Sequence, residues 1–485
     1  MLFNSYAFLV FLPCFLALYW SLRGNARIVL CLAGSYLFYG WWDYRFLGLL
    51  VLSTGIDYAV GCGLGRREAS ASLRRLLLGI SLVSNLGILA TFKYFNFFVD
   101  SFQQMVAPLG WSLDWPTLNL ILPAGISFYT FQTLSYSIDV YRKQIPPQRD
   151  LLRFATFVCF FPQLVAGPIV RAREFFPQLE TDRRFSWQQF ESGFGRILQG
   201  FFKKLVIADS IGVVADPLFH DPGGYSSLNT AVVVVLYAFQ VYGDFSGYSD
   251  IAIGTARMLG IELPENFRTP YLATSPANFW HRWHISLSTW LRDYVYIPLG
   301  GSRNGDWKTY RNLAITMLLG GLWHGASWNF VIWGAIHATI LIAHRIWISW
   351  WGPAEERLLD AALMSPDWLR RLAIDAFKSA SLFAVVCVTW VFFRSGSFDQ
   401  AIQILTQIAS LDGLSPSTLQ NRIPLLKACA LVSILMGFEV ISQRIRWPQV
   451  FYRIPVLRGL YYASLLWSLA LWGTFDGKQF IYFQF

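Results

Sequence analysis

The most restrictive feature of the sequence is a long stretch without charged side chains. Between Arg311 and Arg345 lie 33 residues that include no Asp, Glu, Lys or Arg. Such a stretch can cross a bilayer, because a transmembrane helix needs about 20 apolar residues. As one straight helix it would measure about 50 Å, well beyond a hydrocarbon core of roughly 30 Å. We therefore expect two pieces, with the break near Gly320, Gly321 and Gly325.

The composition extends this conclusion to the whole chain. Of its 485 residues, 55% are hydrophobic and only 14% are charged, whereas soluble domains carry about 25% charged residues. The pattern predicts an all-α polytopic membrane protein, in which Tyr6–Leu22 is a retained first span because no basic residue precedes it. Apolar stretches lie near residues 6–22, 28–42, 45–64, 76–99, 119–140, 154–170, 194–214, 228–243, 312–344, 380–393, 425–441 and 457–473.

Two of these stretches contain Pro and Gly at membrane depth. They are Leu122–Ser127 and Phe161–Pro168. Broken backbone is tolerated in a membrane only where protein or a watery cavity covers its polar groups. We interpret both segments as re-entrant or kinked pieces that line an internal cavity. A simple proline kink in a packed helix explains each one equally well.

Basic residues mark one face of the membrane. They cluster at residues 23–27, 66–75 and 142–153, in loops that are two spans apart along the chain. The positive-inside rule makes this face cytoplasmic and places the N-terminus in the periplasm. The stretch Ser101–Thr117 carries Asp114 and no Lys or Arg, as an outside loop should. These loops explain the net charge of +10, so no nucleic-acid partner is expected.

Histidine at membrane depth is the strongest sign of chemistry in the chain. His324 lies near the centre of the uncharged stretch, and an ionisable side chain within a membrane indicates function. Three interpretations remain open. His337 and His344 fit hydrogen-bonded structural residues. His281, His284 and His324 have the composition of a zinc site, although no His-Glu-x-x-His motif or nearby cysteine supports one, and no metal is expected. In the third interpretation His324 is an acid/base catalyst with His284 as its partner.

A polar segment upstream carries two of these histidines. Ser275–Tyr294 reads as one helix, with Ser275 as the N-cap and Pro276 at its first position. On such a helix His281, His284 and Ser288 share a face. The segment is too charged to face lipid, so we expect it to be buried in protein or to border a cavity.

A third cluster, Tyr242–Asp250, places two carboxylates and several hydroxyls in apolar sequence. Buried carboxylates must be paired or hydrogen-bonded. The cluster fits either a polar network that fixes a re-entrant turn or a site that binds an acceptor. The candidate partners of Asp244 and Asp250 are Arg268, Arg282 and Arg292.

Several motifs together resemble the membrane-bound O-acyltransferase superfamily, and most closely its bacterial alginate O-acetyltransferase branch. The resemblance runs from the first span to about residue 400. It is carried by Trp283-His284, Arg292-Asp293-Tyr294, Gly321-Leu322-Trp323-His324-Gly325, Asp244–Asp250, Pro264-Glu265-Asn266-Phe267 and Trp390-Val391-Phe392-Phe393-Arg394.

The resemblance implies a fold and a set of site residues. The fold is a ring of tilted transmembrane helices with re-entrant segments around a central tunnel, with residues 1–400 as the acyltransferase core and 401–485 as transmembrane helices packed on it. His324 matches the catalytic histidine, and His284 matches the second histidine that faces the same tunnel. Substrate or tunnel contacts are expected at Trp283, Ser288, Asn278, Arg282, Asp293, Trp323, Asp244 and Ser246.

The resemblance also implies a reaction and its partners. An acetyl group would pass from a cytoplasmic thioester, either acetyl-coenzyme A or an acetylated acyl carrier protein, across the bacterial inner membrane. The acceptor would be an exported polysaccharide such as alginate or cellulose. Expected partners are the lipid bilayer, periplasmic SGNH-type acetyltransferases, the exopolysaccharide machinery and an acyl carrier protein, and no permanently bound cofactor is expected.

Two other functions remain open at this stage. A transporter or flippase of an acyl donor or a glycan would also use broken helices and polar residues at mid-membrane. A related enzyme would instead acylate teichoic acid, a lipid or a protein.

Overall fold

A computed structural model describes residues 1–110, 117–352, 368–444, 454–475, 480 and 481, so Asp114 lies outside the described residues. Within these ranges all regular secondary structure is helical, which confirms the predicted all-α class. The α-helices are α1 Tyr6–Ser21, α2 Gly24–Asp43, α3 Leu47–Leu64, α4 Ala71–Leu89, α5 Phe95–Val106, α6 Ile126–Tyr141, α7 Leu151–Cys159, α8 Phe161–Leu164, α9 Ala172–Glu180, α10 Trp187–Phe201, α11 Asp209–His220, α12 Ser227–Met258, α13 Pro276–Trp280, α14 Ile285–Leu291, α15 Asp306–His324, α16 Trp328–Trp351, α17 Trp368–Arg394, α18 Phe398–Ala409, α19 Arg422–Arg444 and α20 Pro455–Trp472.

The chain is a multi-pass membrane protein, as its composition predicts. Among the described residues, six helical stretches are long and apolar enough to cross a membrane. This number is smaller than the count of apolar stretches in the sequence, because several of those stretches are broken into shorter helices, and those at 28–42 and 45–64 fall within one continuous segment. The six are Gly24–Leu64, Ala71–Leu109, Ser227–Met258, Trp328–Trp351, Arg370–Arg394 and Arg422–Ser442.

The helices form two compact units. The first combines Met1–Ile197 with Tyr248–Pro264, and the second combines Leu198–Gly247 with Glu265–Ile481. Helix α12 therefore begins in the second unit and ends in the first. The division of the sequence into a core before residue 400 and added helices after it stays a prediction.

A buried polar network fixes the register of three helices in the first unit. The Asp57 carboxylate on α3 accepts hydrogen bonds from Ser81 at 2.5 Å, from Ser137 at 2.7 Å and from Asn85 at 2.7 Å. Ser81 and Asn85 lie on α4, and Ser137 lies on α6. Because a buried carboxylate must keep its donors, sliding any of these helices would leave polar groups unsatisfied.

The two predicted broken segments lie against each other in the first unit. Gly125 has a φ of 76° at the start of α6, and a Cβ there would lie 2.6 Å from the carbonyl oxygen of Leu164. Leu164 ends the four-residue helix α8, and the backbone that follows is irregular but buried. The break in both segments is confirmed. In the second segment packed protein covers the non-helical backbone, as a membrane interior requires, whereas Leu122, Ala124 and Gly125 of the first are half-buried.

Helices α15 and α16 form a hairpin in the second unit. The uncharged stretch is divided as predicted, and the break falls after His324, at Gly325 to Ser327. Gly320 and Gly321 lie inside α15, so their assignment to the break is wrong. Their smallness serves packing instead, because a Cβ on Gly321 would lie 2.2 Å from the carbonyl oxygen of Phe330.

Candidate active site

The polar segment before α15 is two short helices rather than one. Ser275 caps α13 as predicted, since its Oγ accepts a hydrogen bond from the backbone N–H of Asn278 at 3.2 Å. The helix then ends, and His284 adopts the left-handed conformation with a φ of 44° before α14 begins. The predicted common face of His281, His284 and Ser288 is therefore wrong. His281 is exposed, whereas His284 is completely buried.

Asn266 fixes the hydrogen-bonding state of His284. Its Oδ1 accepts hydrogen bonds from the backbone N–H of Ser286 at 3.3 Å and from the Ser286 hydroxyl at 2.9 Å. Because a backbone N–H can only donate, the atom that it meets must be the amide oxygen. The same oxygen lies 3.1 Å from Nδ1 of His284, which therefore donates and leaves Nε2 as the acceptor of the neutral ring. Burial lowers the pKa of His284 to about 3, so the ring is neutral at physiological pH.

His324 is the last residue of α15 and is only 6% exposed. Its ring centroid lies 6.4 Å from the ring centroid of His284. The rings of Trp323, Trp333 and Phe393 surround it at centroid distances of 5.0, 5.1 and 5.2 Å. The fold thus brings the two histidines side by side within aromatic surroundings.

Buried indole rings form the wall behind the histidines. Trp283 lies 5.0 Å from Trp390 between ring centroids, and Trp390 stacks on Trp333 at 6.1 Å. On the other side, Trp323 packs against His284 at 5.9 Å. Such a wall keeps bulk water away from reacting groups, which protects a reactive ester or thioester from hydrolysis.

The carboxylate of Asp244 belongs to a separate buried ion network. Lys204 Nζ lies 2.5 Å from Asp244 and 2.9 Å from Asp209, and Asp244 also accepts a hydrogen bond from the backbone N–H of Ile481 at 2.8 Å. In the first unit Asp250 pairs with Arg196 at 2.7 Å. The predicted pairing of these carboxylates with Arg268, Arg282 and Arg292 is wrong. Their cationic partners are Arg196 on α10 and Lys204 in the turn between α10 and α11, which only tertiary packing brings close.

The other predicted contact residues make mostly local bonds. Ser288 donates to the carbonyl oxygen of Trp283 at 3.2 Å, Arg282 donates to the Thr269 hydroxyl at 3.1 Å, and Asp293 pairs with Arg292 at 2.8 Å. Asn278 is half-buried on α13, and Ser246 is buried on α12. Of this set, Trp323 contacts the rings of both His284 and His324, and Trp283 directly precedes His284 in the chain.

The structure also bears on the two other interpretations of the histidines, as structural residues and as zinc ligands. His337 is buried, and its Nε2 lies 3.1 Å from the hydroxyl of Thr389, which fits a structural residue. Across the part of the chain that the structure describes, no group of three His, Cys, Asp or Glu side chains could hold a metal ion. The zinc interpretation of His281, His284 and His324 therefore loses its ligand set.

Sequence reasoning missed three residues of the site. Asn266 orients His284, while Trp333 and Phe393 enclose His324. Asn266 and Phe393 lie within stretches that carry the family resemblance, which was the available signal for them. Trp333 lies nine residues after His324 on the returning helix of the hairpin, so only the hairpin geometry could reveal its role.

The comparisons with known proteins agree with this geometry. The sequence model of the membrane-bound O-acyltransferase family matches residues 148–357. The chain is 41% identical to a probable alginate O-acetylase of Azotobacter vinelandii, over 91% of this chain and 84% of that protein. It is 35% identical to the peptidoglycan O-acetyltransferase of Helicobacter pylori, over 86% of this chain and 81% of that protein. The chain belongs to the membrane-bound O-acyltransferase family.

Within that family the chain lies in the alginate O-acetylase-like branch and is a membrane O-acetyltransferase. The teichoic acid D-alanyltransferase of Streptococcus thermophilus is more distant, with 32% identity over 52% of this chain and 64% of that protein. The family and the enzyme class predicted from the motifs are confirmed.

Proposed function

We propose that the protein transfers an acetyl group from a cytoplasmic thioester to hydroxyl groups of an exported polysaccharide, such as alginate or cellulose, with His324 as the catalytic base. The observation that carries the proposal is the buried pair of His284 and His324, with ring centroids 6.4 Å apart. The rings of Trp323, Trp333 and Phe393 form an aromatic enclosure around His324. The names of two relatives support the acceptor class, because one is a probable alginate O-acetylase and the other a peptidoglycan O-acetyltransferase.

In the proposed step His324 takes the proton of the acceptor hydroxyl while the hydroxyl oxygen attacks the carbonyl carbon of the thioester. The tetrahedral intermediate collapses when the C–S bond breaks, and the imidazolium returns its proton to the departing thiolate. A neutral His284 that donates from Nδ1 to Asn266 presents an acceptor at Nε2. This favours an orienting role for His284 over a polarising one.

The charge of the two candidate donors bears on how either of them reaches the site. Acetyl-coenzyme A and an acetylated carrier protein are both charged, so neither crosses a bilayer intact. We propose a tunnel that admits only the pantetheine arm and acetyl group from the cytoplasmic side of the inner membrane. The basic loops at residues 66–75 and 142–153 would attract either donor. The N-terminus would be periplasmic, where SGNH-type acetyltransferases and the exopolysaccharide machinery would complete the modification.

The proposal is tested with full-length protein in lipid nanodiscs, labelled acetyl donor and oligosaccharide acceptor. Both acetyl-coenzyme A and acetylated carrier protein are supplied, in separate reactions. We expect His324→Ala to lower transfer at least about 100-fold, because a general base contributes 10²- to 10⁴-fold. His284→Ala should cause a partial loss.

His281→Ala serves as the matched control, because His281 is exposed and outside the aromatic enclosure. It should transfer acetyl at the wild-type rate. Wild-type transfer by a folded His324→Ala variant would contradict the assignment of the base. Movement of donor or glycan across the nanodisc without any labelled ester would favour the transporter instead.

A further inference from the structure

A basic cleft lies at the ends of three helices in the first unit. The end of α3, the start of α4 and the loop after α6 enclose about 400 Å³. Four cationic side chains line the cleft: Arg66, Arg67, Arg74 and Lys143. No acidic residue lines it, and across the described residues none of the four forms an ion pair with a carboxylate. The cleft thus concentrates positive charge, although Glu68 lies in the same loop outside the lining of the cleft.

The Arg74 side chain connects the three helices whose ends form the cleft. Its guanidinium donates to the carbonyl oxygen of Leu64 at 2.5 Å and to that of Tyr141 at 2.7 Å. These are the last residues of α3 and α6, while Arg74 belongs to the first turn of α4. The guanidinium therefore satisfies carbonyl groups at the C-terminal ends of two helices, where a cation is favourable, and this holds the walls of the cleft together.

Lys143 stands where glycine is usual. It has a φ of 59° just after α6, and the bonds from Lys143 N–H to Val140 and from Gln144 N–H to Asp139 close the helix in a Schellman motif. A lysine in the left-handed region costs conformational energy that glycine would avoid. Lys143 thus places a cation at the cleft at a conformational cost.

The cleft sits where two candidate membrane spans meet the interface. One span ends at Leu64 and the next begins at Ala71. An apolar stripe runs along α4 from the cleft, and its members Leu73, Leu76, Ile80 and Val83 are 37% to 75% exposed. The stripe begins at Leu73, next to Arg74 of the cleft. A charged pocket beside an exposed apolar face has the two halves that a phospholipid needs, whereas a soluble phosphate would use only the first.

We propose that this cleft is a binding site for an anionic phospholipid of the leaflet that the basic loops mark as cytoplasmic. Arg66, Arg67 and Lys143 contact the headgroup phosphate, and the acyl chains lie along the stripe on α4. Basic pockets between transmembrane helices on the cytoplasmic side are suited to such headgroups. The cleft lies in the basic loops proposed above to attract the acetyl donor, so the test must distinguish a phospholipid from coenzyme A at these residues.

The test measures lipid binding to the purified full-length protein by native mass spectrometry. Phosphatidylglycerol, phosphatidylcholine, coenzyme A and inorganic phosphate are titrated separately. We expect phosphatidylglycerol to bind the Arg66→Gln/Arg67→Gln variant roughly tenfold more weakly than wild type, which corresponds to about 1.4 kcal/mol. Arg75→Gln/Arg149→Gln is the matched control, since Arg75 on α4 and Arg149 in the loop after α6 are both exposed but do not line the cleft.

A second variant separates binding from folding. Lys143→Gly removes one charge and also relieves the left-handed lysine, so it should bind phosphatidylglycerol more weakly while unfolding at the same or a higher temperature. Equal weakening in the cleft and control variants would overturn the site in favour of general surface charge. Displacement of phosphatidylglycerol by coenzyme A or phosphate, lost in the cleft variant, would assign the cleft to a soluble phosphate instead.

Discussion

At the scale of single residues, the chemistry rests on a histidine held in an uncommon backbone conformation. The left-handed φ of His284 costs on the order of 1 kcal/mol and persists only when its surroundings hold it. Asn266 provides that support, because one amide oxygen binds both the His284 ring and the first turn of α14. The break between α13 and α14 therefore places the imidazole ring of His284 beside that of His324.

Removing this support should slow the reaction. We expect Asn266→Ala to lower kcat by roughly 5- to 150-fold with little change in the KM of the donor, because losing a buried hydrogen-bond partner costs about 1–3 kcal/mol. Steady-state kinetics with labelled donor measures the effect. Ser286→Ala is the control, since it removes one hydroxyl and keeps the bond between Asn266 and His284. A raised KM with unchanged kcat would contradict the positioning role.

Buried His284 should also make the protein sensitive to acid. Its pKa is about 3 in the folded protein, against 6.5 for an exposed histidine. Between these values the unfolded chain binds more protons than the native one, so stability falls as the pH drops below 6.5. The loss is at most about 1.4 kcal/mol per pH unit. Thermal unfolding at pH 7.5 and 5.5 should show a smaller loss for His284→Gln than for wild type, and equal losses would contradict this.

At the scale of elements, the α15–α16 hairpin places His324. The two helices approach closely because glycines meet backbone on both sides. A Cβ on Gly321 would lie 2.2 Å from the Phe330 carbonyl oxygen, and a Cβ on Gly334 would lie 2.5 Å from that of Met317. The sequence predicted that a break occurs near Gly320, Gly321 and Gly325. It could not tell a glycine that breaks a helix from one that allows close packing, because that depends on the facing helix.

Gly321→Ala should therefore destabilise the protein and impair transfer. An added methyl group in a packed interface typically costs about 1–3 kcal/mol, and the resulting shift of α15 would move His324. Gly437→Ala on α19 is the control, because a Cβ there meets nothing within 4 Å. That variant should keep wild-type activity and be slightly more stable. Thermal unfolding and transfer rates together measure both variants, and a neutral Gly321→Ala would show that the hairpin can separate.

At the scale of the whole molecule, distant parts of the second unit meet at one buried cation. Lys204 is only 1% exposed in its side chain, and it joins Asp209 and Asp244. Asp244 in turn holds the backbone of Ile481, and the Lys204 ammonium lies 4.5 Å from the centroid of the Phe480 ring. This network links the middle of the sequence to residues near position 480.

Lys204→Met should destabilise the protein by about 3–5 kcal/mol, because it leaves two buried carboxylates without their cation. Thermal unfolding in detergent, compared with the neighbouring Lys203→Met, measures the loss. Adding Asp244→Asn to Lys204→Met should recover part of it, since one uncompensated charge disappears. A loss of similar size in Lys203→Met would contradict a specific role for the network.

The sequence by itself determined the membrane class, the broken segments, the family and the position of His324. These depend on hydrophobic length, on Pro and Gly, and on motifs that are contiguous in the chain. Only the tertiary structure decided which groups meet: His284 with Asn266 and His324, and Asp244 with Lys204. A linear pattern fixes which residues are buried, but their partners depend on how distant helices pack, and a left-handed residue such as His284 leaves no signature in periodicity.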